Sequence, residues 1–525
     1  MRTGRHRAWW RRASGMAVAA SLLAVLGCAS SDQASVSAGD SVSAERVVAA
    51  GYGVIVSRYV DPIEDKTLAL YTLRGLRSLD AKLSVDETPD AKLVITDGDK
   101  QLGVWQEPGS DDARGWTRLT AQAVQLSYES SPTLRGYTQD QVVKAAIEGA
   151  LQPLDKHSRY SDPSSASDAR FNREGAGGIG VAVRSVDGMV VIASVFPDMP
   201  ADRAGFKPND RVVAIEGESV IGWDEHRIVS RLRGDVDTKV TLTVERPSES
   251  RRITATIVRA LIIPPTVTYK RMGDVAVIKL SGFNQASTLR LQNAVVQARK
   301  EIGPDMAGIV LDMRGNPGGL LDQAVSIANL FLEDGMITAT RGRHPDSSHV
   351  YRAVTGTAIE PKVPMVILIN GKSASAAEIV SAALQDRGRA VVIGSNSYGK
   401  ATVQSVIRLP NDGELTLTWS RLHAPSGYSW HDIGVMPIVC SADVTDEGQD
   451  LSRQFAERSK RMTEVIALWH APKPPTGQRL AQLRDTCAPS DQEPEKDMRI
   501  ALRLLHDPQL YQRAIGVTSS AVAQR

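Results

Sequence analysis

From Gly273 onward, short apolar runs alternate with helical ones, and this alternation constrains the fold more than any other feature of the chain. GDVAVIKLSGF reads as a strand and Thr288 to Glu301 as a helix. MAGIVLDMRGNPGG reads as a buried strand entering a glycine loop, and Leu320 to Leu332 is helical. VPMVILIN is a second buried strand, SASAAEIVSAALQD a helix and RAVVIG a third strand, with TVQSVIRL and ELTLTWSRL as further strands. Such an order predicts a layered α/β domain with right-handed crossovers, here over residues 265–445.

A Pro264-Pro265 break separates this domain from what precedes it. From Gly175, GAGGIGVAVRSVDGMVVIASVF sets short β-branched runs between glycine turns, the texture of a compact β-rich module. PADRAGFKPNDRVVAIEG then resembles a PDZ domain, spanning residues 175–260. That resemblance implies a carboxylate-binding loop on Gly178, Ile179, Gly180 and Val181. Successive backbone N–H groups in such a loop form a nest for a terminal carboxylate, and the ligand adds as an edge strand. Residues 46–170 read as a mostly helical region, with helical spacing in Thr67 to Leu79 and Gln139 to Leu151. Both runs close with a glycine and then Leu-Asp, in GLRSLDAKL and GALQPLDKHSRY, a hint of a degenerate repeat.

The N-terminus carries Arg2, Arg5, Arg7, Arg11 and Arg12 and no acid before an apolar run, Met16 to Leu26. That run is too short to span a bilayer and suits a signal peptide over residues 1–27. LAVLGCASS resembles a bacterial lipobox, with Cys28 as the lipidated residue; an ordinary signal peptide with a chance cysteine is the alternative. Residues 28–45, rich in Ser, Ala, Asp and Gly, then read as a flexible tether. The expected location is the periplasmic side of a bacterial envelope, lipid-anchored to a membrane. Ala29, in place of a retention aspartate, favours the outer one. Loss of the first 27 residues takes the formal charge from +2 to about −3, so no global pull on nucleic acid is expected. Cys440 and Cys487 remain, and an even pair in an exported chain suggests a disulfide, with two buried free thiols as the alternative. No Cys/His spacing resembles a zinc site, so no metal is expected. Residues 446–525 are charged and read as a helical extension interrupted at APKPPTG.

GSNSYGKAT, Gly394 to Thr402, has nearly the spacing of a phosphate-binding P-loop. A P-loop needs Ser or Thr after the lysine and a helix beyond it. Here Ala401 follows Lys400, and TVQSVIRL alternates as a strand. Both requirements fail, and Lys400 is better read as a base. Ser375 lies at a strand-to-helix junction, where Ser375-x-x-Glu378 also forms a capping box and Ser373 could serve as a cap. A short βαβ crossover puts the loops after neighbouring strands at one sheet edge, so Ser375 and Lys400 can meet there. A serine hydroxyl needs a neighbour to take its proton, and a lysine does so only when burial lowers its pKa. By period two, Gln404 shares a strand face with Lys400 and Thr402 and could orient the amine, or it simply faces solvent. An oxyanion hole could form from the N–H of Ala376, at a helix start, and that of Gly318 in the RGNPGG loop.

LDMRGNPGG, SASAAEIVSAALQDRGRAVVIG, SYGKATVQ and APSGYSW-x3-GVMP together resemble the carboxy-terminal processing (tail-specific) protease family. LDKHSRY, Leu154 to Tyr160, resembles the segment this family carries before its PDZ domain, and the likeness runs from about residue 136 to 440. The resemblance implies an α/β and α+β multidomain protein with a crotonase-like catalytic core. It also implies Ser375 as nucleophile, Lys400 as general base and Gln404 as the residue positioning that lysine. Three positions depart from the family pattern: Ala401 for glycine, Ala377 for serine and Ile438 for aspartate. The chain is thus expected to be a lipid-anchored serine endopeptidase cleaving near protein C-termini, without cofactor. Its partners would be peptide C-termini, the membrane through Cys28, and a second copy or an adaptor. A non-catalytic PDZ scaffold and a crotonase-like enzyme acting on thioesters or nucleotides are the competing readings.

Overall fold

The computed structural model describes residues 42–444, 462–471, 476–490 and 494–523, so Cys28 and the signal segment lie outside the described residues. The first helix, Ala44–Arg58, starts inside the segment read as tether, with Ser43 as its cap. Helices Asp65–Gly75, Ala113–Ser130 and Gln139–Leu151 pack with it around Tyr52, Leu68, Trp116 and Ile147. The two glycines of the hinted repeat meet each other: a Cβ on Gly75 would lie 2.9 Å from Gly149 Cα. Their shared role is to let two helices approach closely.

Between these helices lies a three-stranded antiparallel sheet, Leu83–Glu87, Lys92–Asp97 and Lys100–Gln106, where a mostly helical region is expected. Its signal is local. Leu83 and Val85, then Leu93 and Ile95, are buried at period two, and Gly98 turns the second hairpin at φ +58.

The next module is an antiparallel sheet in spatial order Arg251–Val258, Lys239–Arg246, Arg211–Ile215, Met189–Val195 and Val181–Val186. Ile192, Ile215, Leu242 and Val244 fill its core. The strand Ala176–Gly178 pairs with Ala260–Ile262 and closes it.

The catalytic core is a sheet in the order Val267–Met272, Val275–Leu280, Gly308–Asp312, Met365–Ile369, Val391–Gly394, Val439–Cys440. All neighbours but the first pair run parallel. Every residue of Met365–Ile369 is buried, as expected of a strand covered on both faces. A second, antiparallel sheet orders His349–Arg352, Met336–Arg341, Glu414–His423 and Thr402–Arg408. Its first two strands fall in a stretch with no strand reading of its own. The strand Arg159–Ser161 also pairs with Glu414–His423, so the end of LDKHSRY belongs to the catalytic core. The chain closes with helices Gly477–Arg484, Pro494–Leu505 and Pro508–Ala523, and a Cys440–Cys487 disulfide ties this extension to the last strand. Among the described residues, no helix is long and apolar enough to cross a membrane.

Candidate active site

The loops after Gly308–Asp312, Met365–Ile369 and Val391–Gly394 meet at the C-terminal edge of the parallel sheet. Ser375 ends the second loop and caps helix Ala376–Asp386 with φ +55 and ψ −111. A non-glycine residue held there carries roughly 1–3 kcal/mol of backbone strain, so its surroundings must determine it firmly. Glu378 does so. Its Oε2 accepts from Ser375 N at 2.7 Å and from Lys400 N at 2.9 Å. Its Oε1 accepts from Ser397 Oγ at 2.5 Å and Gly399 N at 2.7 Å. Burial pushes this carboxyl up, while the four donors pull it back toward the ionised form. One side chain thus draws the Ser375 and Lys400 backbones to a single oxygen.

The Lys400 amine makes no hydrogen bond to a described residue. Burial pushes its pKa down, and the Arg159 guanidinium adds to this; Asp155 and Glu378 pull the other way. Ala401, where the family carries glycine, is fully buried and has no positive φ, so a methyl group fits its backbone there. Gly399 does need its freedom: φ is +96, and a Cβ would lie 3.0 Å from Asp432 C.

The structure does not join Gln404 to Lys400 by a hydrogen bond. Thr402–Arg408 keeps its period-two alternation through Gln404, and the β-bulge falls in the partner strand, where Trp419 has no residue opposite it. Gln404 Nε2 donates instead to Thr402 Oγ1 at 2.8 Å and Thr418 Oγ1 at 3.1 Å. Thr418 Oγ1 in turn donates to Asp155 Oδ1 at 3.0 Å. Asp155 also takes His157 N and Ser158 Oγ, each at 2.8 Å, and these bonds offset its burial to hold its pKa below the usual range. Asp155 and Arg159 therefore surround the lysine from a segment some 240 residues upstream, a role their own sequence does not announce.

Of the two expected oxyanion donors, Ala376 N–H opens its helix and has no acceptor among the described residues. Gly318 lies against the serine: a Cβ there would be 2.9 Å from both Ser375 Cβ and Ala374 O. Its N–H, however, already donates to Asn316 Oδ1 at 2.8 Å, an engagement the glycine spacing did not reveal. Asn316 is fully buried and fixed by its own bond to Leu280 O at 2.8 Å. Among the described residues, no group of three or more His, Cys, Asp and Glu side chains is placed to hold a metal ion.

In the preceding module, Gly178, Ile179, Gly180 and Val181 line a pocket of about 220 Å³ between strand Val181–Val186 and helix Glu225–Leu232. The N–H groups of Ile179 and Gly180 have no acceptor among the described residues. Gly180 takes φ +83 with Met199 Cβ only 2.4 Å from where its own Cβ would stand. Phe196, Val229 and Ile262 make the pocket apolar, and Arg233 adds a cation at its rim.

Such a sheet edge beside a peptide-binding module defines a class of serine-type peptidase, and the chain belongs to peptidase family S41. The family's model matches residues 274–439, and a PDZ domain model matches residues 191–246. The chain is 38% identical over 300 residues to a carboxy-terminal-processing protease of Bartonella bacilliformis, covering 57% of this chain and 69% of that one. It is 33% identical over 304 residues to a probable CtpA-like serine protease of Staphylococcus aureus, covering 57% and 60%. Among solved structures, the photosystem II D1 C-terminal processing protease aligns at TM-score 0.39 and 21% identity, over 76% of this chain and 93% of that one.

Proposed function

We propose that this S41 peptidase cleaves proteins near their C-termini with Ser375 as nucleophile and Lys400 as general base. The observation carrying this reading is the Glu378 oxygen shared by the two backbones, on a lysine whose pKa burial pushes down. Lys400 takes the hydroxyl proton as Ser375 Oγ attacks the scissile carbonyl. Ala376 N–H and, once released by Asn316, Gly318 N–H receive the developing oxyanion. The lysine ammonium then returns its proton to the leaving amine, and water hydrolyses the acyl-enzyme. Gln404 supports the site through its bonds to Thr402 and Thr418. The PDZ pocket takes the substrate's terminal carboxylate on the Ile179–Gly180 backbone and an apolar last side chain below it.

Lipidation of Cys28 would hold the enzyme at the periplasmic face of an envelope membrane, with outer-membrane attachment favoured. Replacing Ser375 by Ala and assaying casein cleavage by the purified ectodomain tests the chemistry; undiminished cleavage sinks the nucleophile assignment. Incorporation of labelled palmitate into the wild type but not Cys28→Ser tests the anchor.

A further inference from the structure

The C-terminal extension lies outside the stretch matched by the peptidase model, yet it touches all three loops that form the site. Arg314, first residue of the RGNPGG loop, is held by Asp312 at 2.8 Å and by Asp497 Oδ2 at 2.9 Å. The three side chains are only 11%, 8% and 6% exposed, so this is an interior ion network. The other Asp497 oxygen accepts from Ser441 Oγ, just past the last strand of the sheet. Gly371, in the loop leading to Ser375, donates its N–H to Ser490 O at 3.1 Å. Ser395, in the loop leading to Lys400, donates its hydroxyl to the same Ser490 O at 2.8 Å and accepts from Ser490 N at 2.9 Å. Its neighbour Asn396 donates its N–H to Cys487 O at 3.3 Å. Cys487 is bonded to Cys440, at the end of a strand that pairs with Val391–Gly394.

These contacts share a logic. A Ser/Lys site works only if nucleophile, base and oxyanion donors, which here sit on three separate loops, keep their spacing to a fraction of an ångström. Glu378 ties the serine loop to the lysine loop but does not reach Arg314. Ser490 and Cys487 grip the same two loops from outside, and Asp497 adds the third. Arg314 keeps its two bonds to Asp312 when Asp497 is lost, but the bond that holds it to the extension goes with Asp497.

We propose that Cys487, Ser490 and Asp497 are positioning residues: the extension is a disulfide-stapled clamp that sets the RGNPGG loop against the Ser375 and Lys400 loops. It touches no substrate and acts through the three loops alone. The inference rests on the Ser375/Lys400 reading for which atoms must be aligned, but not on it for the contacts.

The test uses the full chain in four forms: Asp497→Asn, Asp497→Glu, Cys440→Ser with Cys487→Ser, and Ser375→Ala as control. Measured for each are kcat and KM on a peptide substrate, binding of a labelled C-terminal peptide, thermal melting, and the labelling rate of Ser375 by a fluorophosphonate. Asp497→Asn is expected to lower kcat and labelling at least tenfold, with KM and peptide binding within about twofold. Asp497→Glu should recover most of the loss. The double cysteine variant should show the same kcat-selective defect and carries the test should Asp497→Asn fail to fold. Unchanged kcat in both, or losses that merely follow the unfolded fraction, overturns the clamp. An active Ser375→Ala enzyme would instead overturn the nucleophile, while the other variants still report whether the clamp sets kcat.

Discussion

Ser375 and Lys400, 25 positions apart in sequence, donate their backbone N–H groups to one oxygen of Glu378, at 2.7 and 2.9 Å. The capping acid of a helix is therefore also the anchor of the proposed base. Its four donors include three backbone N–H groups, which can only donate. Glu378→Gln turns an NH2 group toward some of them. Each donor left unsatisfied costs roughly 1–3 kcal/mol. Urea unfolding should show a loss of that size, and kcat should fall at least tenfold.

The base must be neutral to act. Because burial and Arg159 push the Lys400 pKa down, its neutral fraction grows as pH rises through that lowered value. The expected kcat/KM profile climbs tenfold per pH unit on its acid limb and flattens above it. His157 and His431 are also pushed down by burial, which moves their own titration to the acid side of an ordinary imidazole's. Lys400→Arg cannot lose its proton and should be inactive at every pH.

Gly318→Ala should damage chemistry and spare binding. The residue has φ +101, and the added methyl would press on Ser375 Cβ and Ala374 O at 2.9 Å. Removing one oxyanion donor costs about 100- to 1000-fold in kcat, the loss expected here. Affinity of the PDZ pocket for a C-terminal peptide should stay within twofold by fluorescence anisotropy.

Amidating the last residue of that peptide should weaken its binding at least tenfold. The amide removes the charge that the proposed Ile179–Gly180 backbone nest would receive. Equal affinity for the acid and the amide would assign the pocket to something other than a chain terminus.

The Cys440–Cys487 bond closes a loop of 47 residues. On chain-entropy grounds its removal should cost about 4 kcal/mol, read as a lower urea midpoint in the Cys440→Ser, Cys487→Ser form. A shift below about 1 kcal/mol would mean that the extension is held by its packing alone.

Strands and helices of the core were legible because a buried parallel sheet writes continuous apolar runs, as in Met365–Ile369, and a helix covered on one face writes period 3.6, as in Leu291, Ala294, Val295 and Ala298. The meeting of the Ser375 and Lys400 loops was legible because a short crossover must bring adjacent loops together. What escaped was set by distant contacts. The sheet Leu83–Gln106 was masked by helices on either side, although Leu93 and Ile95 are buried at every second position. Gln404 shares a face with Thr402, as its period implies, but its amide bonds Thr402 and, on the partner strand, Thr418 rather than the Lys400 amine. Asp155 and Arg159 act on Lys400 across the whole PDZ insertion, and Asp497 reaches Arg314 across 183 positions. No local pattern encodes either pairing.

If Gly318 N–H is the second oxyanion donor, Asn316 Oδ1 occupies in the resting molecule the place of the substrate oxygen. An amide oxygen already sits on Gly318 N–H, and an arriving peptide offers another amide oxygen. Engagement is thus a like-for-like exchange with little enthalpy at stake, in which geometry alone decides the winner. A loosely seated chain loses that contest to the resident asparagine.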